Sequence, residues 1–165
     1  MNGLARAFAM TDAVWERHTN PWSFWTRLPI LPLIALAIWS RSWIGAWCLL
    51  PIAALLVWAW VNPRAFPAPP RTGSWYARAV TGERIWLDSK RVPIPEHHAA
   101  WAGGLSLAAL AGVPPLAYGL LQYEAFAVLL GLSLAILPKL WFLDRMVWLT
   151  DDVAPRHPQY TAWLR

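Results

Sequence analysis

Cysteine is almost absent. Cys48 is the single one in 165 residues, so no intrachain disulfide can form, and its place inside an apolar run makes it a small buried hydrophobe. Charge is scarce too: Asp, Glu, Lys and Arg supply 14% of the chain, where an average soluble domain carries roughly 25%. The sequence also lacks a serine or cysteine nucleophile motif, a phosphate-binding loop and a paired-cysteine motif. No cofactor is implied. The first twenty residues hold Arg6 but no apolar core of useful length before Asp12, Glu16 and Arg17, so no cleavable signal peptide is expected.

What the chain has is apolar surface, 58% hydrophobic residues with 14 tryptophans among them. Residues 42–61, SWIGAWCLLPIAALLVWAWV, contain no charge. As a helix rising 1.5 Å per residue they cover roughly 30 Å, the thickness of a bilayer's hydrocarbon core. Trp43 and Trp47 lie near one end and Trp58 and Trp60 near the other, where indoles favour the lipid–water boundary. This composition describes a membrane protein.

Taken in order, residues 1–19 form a polar lead-in with a short helix capped by Asp12. Asn20 then caps a helix with Pro21 at its first position, and residues 21–40 make the first span, Arg27 reaching back toward headgroups. Ser40, Arg41 and Ser42 turn tightly into the second span, 42–61. The following NPRAFPAPPRTG, with four prolines and two arginines in twelve residues, reads as a stiff extended linker. Ser74 caps a short amphipathic helix that Gly82 weakens, and RVPIPE runs extended to a helix starting near His97 and His98. The third span, 99–121, carries Gly104, Ala108 and Gly112 on one face, and the fourth, 125–143, carries Ala127, Gly131 and Ala135. Those two small-residue faces are expected to pair. The expected fold is all-α: one membrane domain, 1–165, of four transmembrane helices arranged as two antiparallel hairpins, with short interfacial helices before the first span and in the loop 62–98.

Of the 14 Lys and Arg, only Arg41 falls outside the side that holds both termini and the 62–98 loop, which places that side in the cytoplasm of an inner cell membrane. The net charge of +5 is distributed around apolar segments instead of along a solvated face, so anionic lipid headgroups, not nucleic acid, are the expected partner.

Charged and titratable residues at the cytoplasmic ends supply the candidate site. Lys139 follows Ala135 by one helical turn and should face helix three; Arg27, His97, His98, Asp144 and Arg145 share its level. Together they suggest a shallow mouth for a phosphate-bearing headgroup. No metal site is expected, because adjacent helical residues such as His97 and His98 diverge by about 100° and the remaining histidines, His18 and His157, lie elsewhere. Prolines inside every span read as packing-tolerated kinks.

RHTNPWSFWTR, WSRSWIGAW, GERIWLDSKRVPIPEHH and KLWFLDRMVWL together resemble an uncharacterised family of small multipass membrane proteins of bacteria and archaea. The resemblance covers roughly residues 15–150 and implies a fold type and a membrane address. RHPQY, residues 156–160, is also similar to the Arg-His-Pro-x-Tyr element of membrane methyltransferases, in which further membrane segments follow the element. Two function classes emerge. The first is a non-enzymatic accessory protein that holds lipid or another membrane subunit. The second is a small membrane enzyme acting on a lipid headgroup, with His97 or His98 as general base.

Overall fold

One long helix organises the structure, a computed structural model that describes residues 10–164. The regular elements are α1 (Asp12–His18), α2 (Pro21–Arg27), α3 (Ile30–Trp39), α4 (Arg41–Ile44), α5 (Leu49–Ala65), α6 (Trp75–Leu87), α7 (Glu96–Leu110), α8 (Val113–Gln122), α9 (Ala125–Val153) and α10 (Pro158–Thr161), with 3-10 turns at Gly45–Cys48 and Ala154–Arg156. All regular structure among the described residues is helical. Three segments are long and apolar enough to cross a membrane: Pro21–Ala65, Glu96–Gln122 and Ala125–Arg156.

α9 is the longest element at 29 residues, about 43 Å at the helical rise. It continues past Leu143, where the apolar span was expected to stop, because the residues beyond remain buried: Met146, Val147, Leu149, Thr150 and Val153 pack against α6 and α7. Gly82, expected to weaken α6, does the opposite. A Cβ there would overlap the Met146 carbonyl, so glycine lets the two backbones meet, and Thr150 Oγ1 donates to the Arg78 carbonyl at 2.8 Å beside that contact. α6 is thus a packed element of the core, beyond the interfacial role expected of it.

Capping follows the sequence in two of three places. Asn20 accepts from the Trp22 N–H with Pro21 at the first helical position, and Ser74 accepts from the Ala77 N–H. At α1 the cap is Thr11, not Asp12; Asp12 instead pairs with Arg84 of α6.

The first apolar segment also departs from expectation. Helical structure stops after Arg27 and resumes at Ile30, where Pro29 and Pro32 withhold N–H groups from the ladder. The chain does not turn within residues 40–42. It reverses through α4 and Gly45, whose φ of 56° and ψ of −135° suit glycine, and α5 starts only at Leu49. α5 then runs through Asn62 and Pro63 to Ala65, into what reads as linker.

The pairing face of α7 and α8 needs correction as well. Gly112 and Gly131 do sit at close backbone approaches, Gly112 against the Gly131 carbonyl and Gly131 against Leu116, but Gly104 has open space around it. The buried positions are His98, Ala102, Leu105 and then, past the break at Ala111, Gly112, Gly119 and Leu120. Steps of three and four keep a helical face pointing one way, whereas a strict four-residue stripe drifts around the helix. Outward, Leu36, Leu56, Leu107, Leu129 and Leu137 are exposed.

Candidate functional site

The site lies where α1, α2, α6 and α9 meet, and its rigidity begins with a buried serine. Ser23 lies one turn into α2, and its hydroxyl donates to Asn62 Oδ1 at 2.7 Å. Asn62 Nδ2 in turn donates to Thr26 Oγ1 at 2.8 Å, and Thr26 donates to the Trp22 carbonyl at 2.6 Å. Because the Ser23 proton is committed to Asn62, its oxygen accepts from His18 Nδ1, 2.7 Å away. That fixes the tautomer. His18 Nε2 is left as an acceptor, with Arg27 Nη1 and the Tyr76 hydroxyl each at 3.2 Å.

The electrostatics agree with this direction of donation. Burial, assisted by the Arg27 charge, lowers the His18 imidazole from 6.5 to about 4, so it is neutral near pH 7. Burial also raises the Tyr76 phenol, which stays protonated and able to donate. Ser23 is fully buried and its proton points away from His18, so the pair is a positioning device with no nucleophile to activate.

Above this layer opens a cleft of about 320 Å³, lined on its polar side by His18, Arg27, Tyr76, Glu83 and Lys139 and on its apolar side by residues such as Phe24, Leu31 and Ile136. Lys139 Nζ lies 3.1 Å from Glu83 Oε1 and 4.2 Å from the Phe142 ring centre. Burial opposes ionisation of Glu83, yet the Lys139 ammonium, with smaller contributions from His18 and Arg27, outweighs it and holds the carboxyl below its usual range. Two cations therefore face one carboxylate and a neutral imidazole. The Lys139 side chain keeps 50% of its surface exposed, so it is accessible to a ligand.

Of the six residues the sequence singles out, Arg27 and Lys139 line this cleft together. Lys139 meets α6 there, through Glu83, and not α7 or α8 as its helical stripe suggests. The other four lie elsewhere. Asp144 accepts from Trp75 Nε1 at 3.2 Å, and the Arg145 guanidinium stacks between Trp101 and Trp148. His97 and His98 form a second cluster with Asp152, their ring centres 4.1 Å apart despite the divergence expected of neighbours on a helix.

Sequence reasoning missed His18, Tyr76 and Glu83. A signal existed for His18, five residues before a serine and two before the Asn20–Pro21 cap, but its partner Tyr76, and the Asn62 that accepts from Ser23, are remote in the chain. Within RHPQY, Tyr160 is fully buried with its hydroxyl 3.3 Å from Asp88 Oδ2, and Arg156 pairs with Asp152. These residues are engaged in local packing.

A family model described as "Family of unknown function (DUF6653)" matches residues 1–164. The chain belongs to that family. No curated protein and no solved structure matches it. The DUF6653 assignment accords with the resemblance carried by RHTNPWSFWTR, a segment that supplies His18 and Arg27 to the cleft and Ser23 to the buried layer beneath it.

Proposed function

We propose that this protein is a four-span, multipass membrane protein that holds the phosphate of an anionic lipid headgroup in the cleft between α1, α2, α6 and α9. The observation that carries the reading is the convergence of Arg27 and Lys139, from opposite halves of the chain, on one open cleft with an apolar wall. Guanidinium and ammonium supply charge-assisted donors for phosphate oxygens, and the apolar wall suits the start of an acyl chain. The reading is non-enzymatic, an accessory role in which lipid or a neighbouring membrane subunit is bound.

Two sets of contacts support two antiparallel hairpins. Arg41 donates to the Leu120 and Leu121 carbonyls and stacks on Tyr123, while Trp39 meets the same Tyr123 ring, so both short connections lie together. At the other end, Arg17 donates to the Arg64 carbonyl and Asn20 to the Pro67 carbonyl, tying α1 and α2 to the end of α5. The Arg and Lys asymmetry supports a cytoplasmic cleft and cytoplasmic termini in an inner cell membrane.

The test is lipid retention after purification in mild detergent. Lys139→Met should reduce copurified phosphatidylglycerol several-fold in a variant that still folds, with a lowered melting temperature from the loss of the Glu83 ion pair. Unchanged retention in a folded variant would remove the site.

A further inference from the structure

A second cluster lies away from the cleft, where the start of α7 meets the end of α9. Ala102 and Leu105 of α7 are buried against α9, and this packing carries His97 and His98 to the last turn of α9, beside Asp152. One donor atom from each of the three lies within 4.8 Å of the others. His98 Nε2 and Asp152 Oδ2 are 3.4 Å apart. Two ligands on one tetrahedral ion at bond lengths near 2.0–2.1 Å are separated by about 3.4 Å.

An independent observation points to an incompletely satisfied donor atom. The His98 side chain is only 6% exposed, yet its Nε2 has no well-formed hydrogen bond, Asp152 Oδ2 at 3.4 Å being its charged neighbour. A buried polar atom without a partner is rare in a folded protein and calls for an ion, a water or a function. Asp152 is itself held, its Oδ1 accepting from Arg156 Nη2 at 2.7 Å, which leaves Oδ2 turned toward His98. Such outer contacts orient metal-binding carboxylates. His97 is exposed and opens onto a cleft also lined by Trp148 and Asp151.

We propose that His97, His98 and Asp152 bind one divalent transition-metal ion of the zinc class. Two imidazoles and a carboxylate are the donor set such an ion accepts, while hard ions such as magnesium prefer oxygen alone. Three protein donors leave a fourth position for water or a ligand. Arg156 is a positioning residue for Asp152.

The test uses the full chain in detergent, stripped with chelator and titrated with Co²⁺ as a spectroscopic probe and with Zn²⁺ in competition. The expected result is one equivalent of Co²⁺ with the visible absorption of a four-coordinate site, displaced by Zn²⁺. His97→Ala, at an exposed position, and Asp152→Asn should each weaken binding at least about a hundredfold, and Arg156→Gln about tenfold to a hundredfold. Absence of a one-equivalent site in the parent would overturn the proposal. So would Co²⁺ binding that is unchanged in folded His97→Ala and Asp152→Asn.

Discussion

The hydroxyl of Ser23 donates to Asn62 Oδ1 at 2.7 Å, joining α2 to the end of α5 inside the protein. Both side chains are fully buried, and the same serine oxygen receives the His18 Nδ1 proton. Ser23→Ala would strand one donor and one acceptor, each costing about 1–3 kcal/mol. We expect a clear fall in thermal stability in detergent. A melting temperature equal to the parent's would show that this hydrogen-bond chain does not hold the helices together.

The neutral His18 makes stability depend on pH with a defined sign. Its pKa is about 4 in the folded protein against 6.5 for the free side chain. Between those values the unfolded chain binds the extra proton, so stability is complete above pH 6.5 and falls as pH drops toward 4, by about 3 kcal/mol in total. Below that the His18 contribution changes no further. His18→Gln should flatten the curve over this window relative to the parent. If both proteins lose stability in parallel from pH 6.5 to 4, the histidine is not buried in its neutral form.

What could be read from the sequence was local. Asn20 before Pro21 and Ser74 before an amphipathic run are caps because a short side chain reaches an amide two or three residues on, and the structure has both. Arg27 and Lys139 were singled out from helical period and depth, and they line one cleft. The relationships that complete the cleft are not local. Glu83 meets Lys139 across 56 residues, and Ser23 meets Asn62 across 39. No periodicity encodes those pairings. The face of α7 and α8 was misread for a different reason: a stripe at fixed intervals of four ignores both helical drift and the break before Pro114, so Gly104 was assigned to a contact that Ala102 and Leu105 make.

That contrast is testable. Leucine at Gly131 would collide with the backbone of Leu116, whereas leucine at Gly104 enters open space. Overpacking against backbone costs about 1–3 kcal/mol or more. Gly131→Leu should melt well below the parent and Gly104→Leu close to it. Equal melting temperatures for the two variants would contradict the close approach of α8 and α9.

Topology is tested by labelling intact cells in a Cys48→Ala background. Gln122, the exposed last residue of α8, is a better probe than Glu124, whose carboxylate caps α9 by accepting from Ala127. Gln122→Cys should react with an impermeant maleimide, and Arg71→Cys should react only after permeabilisation. The reverse pattern would invert the orientation.

The headgroup cleft is tested most directly by changing its charge in both directions and measuring the ratio of anionic to zwitterionic lipid that copurifies. Lys139→Met removes a cation from the cleft. Glu83→Gln frees Lys139 from its ion pair at 3.1 Å while leaving both cations in place. If phosphate is held there, the ratio should fall several-fold in Lys139→Met and rise above the parent's in Glu83→Gln. Ratios that stay constant across the three folded proteins, or that move together in one direction, would contradict an anion site in this cleft.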